Sequence, residues 1–79
     1  MRFATTEKEW EDRARRFLKA ELKRADITYA ELAKRLEGHG FDETEASITN
    51  KLKRGKFAAT FFLAALAAIG LTELALEDL

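Results

Sequence analysis

The sequence predicts an all-α protein, a compact bundle of about five short helices with a helix-turn-helix core, forming one domain over residues 1–79. Three observations support this fold class. Apolar residues recur at steps of three and four, proline is absent, and four glycines divide the chain into helix-length segments. Each predicted element follows from such local signals, taken below in chain order.

The core of this domain must come from apolar packing alone. The absence of cysteine excludes disulfides and thiolate metal sites, and a single histidine cannot form a multi-histidine zinc site. Hydrophobic residues make up 47% of the chain, including six Phe and one Trp. A chain this short buries only about 60% of its unfolded surface, so self-association would add stability.

The first helix is predicted to begin after Thr5 or Thr6, because either hydroxyl can accept from the free N–H groups of a first turn. It should end near Arg24 or Ala25, since basic residues are favourable at the negative end of a helix. One apolar stripe at three- and four-residue steps runs along it. The stripe consists of Trp10, Ala14, Phe17, Leu18 and Leu22.

The second helix begins with a predicted capping box, in which Thr28 accepts from the N–H of Glu31 and the Glu31 carboxylate reaches back. We expect Gly38 to end this helix. In the turn that follows, Gly38 and Gly40 permit positive φ, and Phe41 is expected to point inward. The inner face of the helix is predicted to be Leu32, Ala33 and Leu36.

The third helix is predicted to start at Asp42 or Thr44, both good caps, and to end at Gly55 in the left-handed conformation. Ile48 and Leu52 are four residues apart and so share its inner side, with Ala46 as a further apolar position. The polar residues lie mostly on other sides. They are Glu45, Ser47, Thr49, Asn50 and Lys53.

The fourth helix, about Ala59 to Ile69, is apolar on almost all sides and should therefore be central, with Gly70 ending it. Thr72 is expected to cap a short fifth helix. Residues 57–71, the longest apolar stretch, fall short of the roughly 20 residues that span a bilayer. The chain shows no signal peptide, so no membrane association is expected and a cytoplasmic location is the default.

Charge is unevenly distributed although the formal net charge is zero. Residues 13–56 carry twelve basic and seven acidic side chains, a balance of +5. The preceding residues carry −2 and the following ones −3. This layout could orient the basic middle of the chain toward phosphates. Charged, solvated helix faces account for it equally well.

The order of these signals resembles the helix-turn-helix domains of the Cro and phage-repressor class. Residues 27–33 (ITYAELA) are similar to the start of that family's second helix, and residues 47–55 (SITNKLKRG) to its recognition helix and exit. Residues 62–70 (FLAALAAIG) resemble its apolar fourth helix. The helix-turn-helix would cover about residues 28–55. The whole chain also resembles a small bacterial family known only as a domain of unknown function.

Three features depart from the repressor pattern. The turn from Gly38 to Glu43 is longer than the usual three or four residues, which predicts a changed angle for the third helix. The glutamate usual in the third helix is replaced by Leu52 or Lys53, and no proline precedes the fourth helix.

The resemblance implies a sequence-specific DNA-binding protein, a transcriptional regulator whose helix at about residues 44–54 enters the major groove of double-stranded DNA. Base contacts are then expected from the polar residues of this helix, which are Glu45, Ser47, Thr49 and Asn50. Phosphate contacts are expected from Thr28, Tyr29, Lys51, Lys53, Arg54 and Lys56. A homodimer is expected through apolar side chains near the C-terminal end, namely Phe62, Leu71, Leu74, Leu76 and Leu79.

The alternative hypothesis is a protein-interaction or structural module on the same scaffold, without DNA binding; zero net charge and the longer turn favour it. An enzyme is not expected, because no nucleophile and base can be paired in so short a chain. His39 is interpreted as a surface turn residue. The carboxylates of Asp42, Glu43 and Glu45 lie near a helix start, where the helix dipole stabilises them. No cofactor or metal is expected.

Overall fold

The computed structural model describes residues 2–79. It consists of four α-helices in the order α1 (Glu7–Arg24), α2 (Tyr29–Glu37), α3 (Glu45–Arg54) and α4 (Ala59–Ile69), followed by a single 3-10 turn at Leu76–Asp78. No strand occurs within the described residues. The predicted all-α class is therefore confirmed.

Threonine side chains start the first three helices. Thr6 accepts from the N–H of Glu9 at 3.1 Å, and Thr28 accepts from the N–H of Glu31 at 3.1 Å. The predicted capping box of α2 is only half formed, because the carboxylate of Glu31 accepts instead from Nε of Arg35 at 3.0 Å. A complete capping box stands at α3, between Thr44 and Ser47. Thus the first three helices start at residues that the sequence predicts, and at α2 only the partner of the Glu31 carboxylate differs.

Helix α2 ends at its C-cap Gly38, as predicted, but only one of the two turn glycines has a positive φ. Gly38 has φ −69° and belongs to the last helical turn, and Gly40 takes the left-handed conformation with φ +85°. The N–H of Phe41 bonds the carbonyl of Leu36, and the N–H of Gly40 bonds that of Glu37. This is a Schellman motif, in which a left-handed residue lets two N–H groups reach back to the last carbonyls. It turns the half-buried Phe41 toward the core, as expected.

A similar ending closes α1, but with a residue that has a side chain. Asp26 has φ +58°, and the N–H groups of Asp26 and Ile27 bond the carbonyls of Lys23 and Leu22. Left-handed backbone is unfavourable for residues with a Cβ and less so for Asp. The tight turn allows Thr28 to begin α2 only four residues after α1 ends.

One apolar core joins the four helices. Helix α4 packs against α1 and α2, and α2 also packs against α3. Phe61, 2% exposed, contacts the rings of Phe41 and Phe57. The expected central position of α4 is thus confirmed. The largest fully buried side chains are Leu18, Leu32, Leu36, Ile48 and Leu52, together with Phe61.

Two expectations about the core were wrong. The predicted fifth helix is absent: Thr72 caps nothing, and residues 71–75 have no helical structure. Ala46 is exposed and does not join Ile48 and Leu52 inside. At the other end of the chain, Trp10 is 37% exposed and stacks on Phe3, so the apolar stripe of α1 becomes buried only further along, at Leu18 and Leu22.

Candidate nucleic-acid interface

The outward face of α3 is centred on Asn50. Ile48 and Leu52 point into the core, and Asn50 lies two residues from each, hence on the opposite side of a helix that turns about 100° per residue. Its side chain is exposed, and no hydrogen bond engages its amide within residues 2–79. An amide in this position can offer its donor and acceptor to a base edge.

Thr49 is exposed at the edge of this face, about 100° around the helix from Asn50. Glu45 is also exposed but lies further round, on the side of Leu52. The hydroxyl of Thr49 donates to the carbonyl of Glu45 at 2.8 Å, so it remains available only as an acceptor. Exposed Ala46 adds a methyl group on the outward side, where it could contact a thymine methyl. Sequence reasoning missed Ala46 as a surface residue, because small apolar residues fit either side of a helix.

Ser47 was predicted to contact a base, but its hydroxyl is already hydrogen-bonded within the protein. Its hydroxyl accepts from the N–H of Thr44 at 2.9 Å and lies 2.6 Å from Oε1 of Glu43, to which it donates. The side chain is half-buried. It fixes the start of α3, and contact with a base would require it to leave these partners.

Lys51 is likewise held within the protein. Its ammonium lies 2.6 Å and 2.8 Å from the carboxylate oxygens of Glu43 and 5.1 Å from the centre of the Phe61 ring. The Glu43 side chain is only 8% exposed. Burial tends to raise the pKa of Glu43, but hydrogen bonds from Lys51 and Ser47 and the positive charge of Lys51 outweigh it. The pKa of this carboxyl therefore lies below its ordinary value.

The remaining cations gather where α3 ends. Lys53, Arg54 and Lys56 are all exposed. Together with Lys8 and Arg15 of α1 they line a shallow surface cavity of about 480 Å³. The same cavity includes three carboxylates, of Glu7, Glu11 and Asp12. The local field is therefore basic on the α3 side and mixed on the α1 side.

Arg15 joins α1 to this end of α3. It pairs with Asp12 at 2.9 Å and donates to the carbonyl of Lys53 at 3.4 Å. Gly55, with φ +72°, lies against it: a Cβ there would stand 3.6 Å from the Arg15 side chain. Sequence reasoning missed Arg15, and its spacing of seven residues from Lys8 was the available signal, since such residues share a helix face.

The start of α2 contributes less exposed surface to the candidate interface than α3 does. Thr28 is exposed but serves as the N-cap, and Tyr29 is half-buried against the core. Helices α2 and α3 contact each other and are joined by the seven-residue connection 38–44. The chain thus has a supporting helix, α2, followed by a connection and by α3, whose polar face points outward.

Metal-ligating side chains and the lengths of the helices bear on two other kinds of site in residues 2–79. No three metal-ligating side chains cluster among them, and His39 is exposed in its turn, as expected. The helices of this part of the chain are too short or too polar to cross a membrane.

Comparison with known proteins gives one result. No curated protein and no solved structure matches the chain significantly. A family model described as a domain of unknown function, DUF6471, matches residues 10–74, which contain α2, α3, α4 and most of α1. The second predicted resemblance, to a family of unknown function, is consistent with this match. The chain therefore belongs to the DUF6471 family.

Proposed function

We propose that this protein is a sequence-specific DNA-binding protein of the cytoplasm, a transcriptional regulator that places α3 in the major groove of double-stranded DNA. The supporting observation is the exposed Asn50, opposite the buried Ile48 and Leu52 and followed by Lys53 and Arg54. In this proposal α2 and α3 form the helix-turn-helix, and the long connection 38–44 holds them in contact.

Within this proposal the side chains divide into two roles. Asn50 would pair with adenine through its amide, with Thr49 at the edge of the same face and Glu45 contributing from the first turn of α3. Lys53, Arg54 and Lys56 would bind phosphates and set the register on the duplex. Ser47, Lys51, Thr28 and Tyr29 support the interface through the fold, given their internal contacts.

A dimer belongs to this proposal because one such unit contacts too few base pairs for tight specific binding. The apolar side chains expected at the pairing surface are at least partly accessible. Phe62, Leu71, Leu74 and Leu79 are half-buried, and Leu76 is 59% exposed.

A salt titration tests DNA binding directly. Anisotropy of a labelled random duplex should show affinity falling linearly on a log–log scale, with a slope of about −0.9 per phosphate contact. Six contacts, three from each copy, would reduce affinity by about 10³-fold between roughly 50 and 200 mM salt. A flat response would contradict the proposal.

A charge-reversal pair identifies the surface. Lys53→Glu combined with Arg54→Glu should abolish binding without changing helical content. Lys19→Glu combined with Lys23→Glu is the matched control, because both lysines are exposed on α1 and the change in net charge is the same. Equal loss in both variants would show a nonspecific charge effect and would contradict a role for α3.

The second candidate is a protein-interaction module. Leu63 of α4 is 61% exposed beside Ala67 and Leu71, which gives a partner an apolar surface away from α3. Size-exclusion and sedimentation measurements with and without duplex DNA distinguish the DNA-binding protein from the protein-interaction module. The module would self-associate or bind protein, and adding DNA would not change its size.

A further inference from the structure

A groove of about 740 Å³ runs between α1 and the segment 71–79. Its floor is apolar, with Phe17, Leu71 and Leu74 half-buried. Neither α3 nor its cations line it. It is therefore a surface separate from the candidate nucleic-acid interface.

One side of the groove is a row of arginines. Arg13, Arg16 and Arg24 are spaced so that they share one face of α1. Arg13 donates to the carbonyl of Arg2, Arg16 to that of Asp12, and Arg24 pairs with Glu21. Within residues 2–79 none of the three forms an ion pair with the segment 71–79.

The other side of the groove is acidic. The segment 71–79 carries Glu73, Glu77 and Asp78, all exposed, and no cation lies within ion-pair distance of them in the described part of the chain. Between these acids stand leucines, of which Leu76 is 59% exposed. The segment is thus an acidic, apolar strip opposite in sign to the arginine row, and its Glu73 and Asp78 line the groove.

The geometry points to a second copy of this chain as the occupant of the groove. Two-fold symmetric interfaces must be self-complementary, because the same patch meets itself. A face with a basic row, an apolar floor and an acidic strip meets that condition. In the dimer, the strip of each copy lies along the arginine row of the other, and the leucines of both meet between them.

This dimer rests on the proposed function for its biological use and leaves the DNA surface accessible. Arg13 and Arg15 are two residues apart and so lie on nearly opposite sides of α1. Arg15 contacts the end of α3, and Arg13 lines the groove. Pairing through the groove therefore buries the face of α1 that points away from the end of α3.

Sedimentation equilibrium without DNA tests the pairing. The wild-type chain should form dimers. The row variant (Arg13→Glu with Arg16→Glu) and the strip variant (Glu73→Lys with Asp78→Lys) should each dissociate at least about tenfold more readily, because like charges would then face each other. Mixing the two variants should restore dimers, since each reversed surface then meets its complement.

Controls keep the result interpretable. The Lys53→Glu/Arg54→Glu variant should dimerise normally even if it fails to bind DNA, which separates failure of the dimer from failure of DNA binding. Circular dichroism checks folding, and the milder pair Arg13→Gln with Arg16→Gln serves if the reversed row does not fold. A wild-type monomer at high concentration, dimers unaffected by either variant, or no restoration on mixing would each overturn the inference.

Discussion

Lys51 and Glu43 form an ion pair that ties α3 to the connection preceding it, with the ammonium 2.6 Å from one carboxylate oxygen. The pair is partly shielded from water and lies against Phe61. It connects the polar surface that we assign to DNA with the apolar core, so the first prediction concerns stability.

Replacing Glu43 with Gln should lower the free energy of unfolding by about 1–3 kcal/mol at neutral pH, because Lys51 loses its charged partner. The effect should depend on pH. Since the pKa of Glu43 in the folded protein lies below its ordinary value of 4.5, its contribution is complete above that value. It declines as the pH falls through the lower, folded-state pKa.

Urea denaturation at a series of acidic pH values measures this dependence. The difference in free energy of unfolding between wild type and Glu43→Gln should become smaller as the pH falls below about 4.5. Glu37→Gln, at an exposed position of α2, is a suitable control and should show little gap at any pH. A constant gap for Glu43→Gln would contradict the ion-pair interpretation.

Asp26 provides a stabilising substitution. Asp26→Gly should raise the free energy of unfolding by up to about 1 kcal/mol, because glycine adopts φ +58° without the Cβ penalty. It also removes a carboxylate from the negative end of α1. Thermal denaturation of Asp26→Asn, which keeps a side chain that tolerates this φ, separates the charge effect from the backbone effect. Asp26→Ala should be no more stable than Asp26→Asn.

Phe61 should be the most sensitive position of α4. Phe61→Ala is expected to lower the free energy of unfolding by about 3–5 kcal/mol, since the ring is fully buried and contacts two other aromatic rings. Leu63→Ala on the same helix is the control, because Leu63 is 61% exposed and should change stability by about 0.5 kcal/mol or less. Chemical denaturation of both variants measures the difference. Similar costs at the two positions would contradict the observed burial.

Asn50 and Lys53 should differ in what they contribute to DNA binding. On a duplex selected from a random pool, Asn50→Ala should weaken binding by about 1–3 kcal/mol per copy and relax the base preference at one position of each half-site. In the proposed dimer Lys53→Gln removes one phosphate contact from each copy, so it should weaken binding to all duplexes alike and reduce the magnitude of the salt slope by about 1.8. Anisotropy with selected and scrambled duplexes distinguishes the two patterns. Equal losses of Asn50→Ala on both duplexes would exclude base contact by Asn50.

Local signals located the helices well. Thr6, Thr28 and Thr44 are the observed N-caps, each among the residues predicted. Gly55 is left-handed at the end of α3, as predicted, and Gly70, predicted only to end α4, is left-handed as well. Capping depends on neighbouring residues only, so sequence alone can show it. The absent fifth helix has a physical reason: no residue of 71–79 is fully buried, so tertiary packing does not offset the cost of nucleating a helix there, as it does for the equally short α2.

The contacts of the candidate site were less predictable. Glu43 lies outside the helix that it stabilises, eight residues from Lys51, so helical periodicity could not pair them. Ser47 was expected to face DNA because it is polar, yet its hydroxyl completes a cap. Arg15 meets α3 only through tertiary packing. Exposure of Asn50, in contrast, followed directly from the buried positions of Ile48 and Leu52.

The turn at residues 38–40 offers a practical route to observing α3. His39 is exposed between two backbone hydrogen-bonded glycines, and the native chain has no thiol anywhere. His39→Cys would therefore create a single attachment point for a fluorophore or spin label, outside the core and separated from α3 by residues 40–44. A probe placed there would report the docking of α3 on DNA from one chemically defined site.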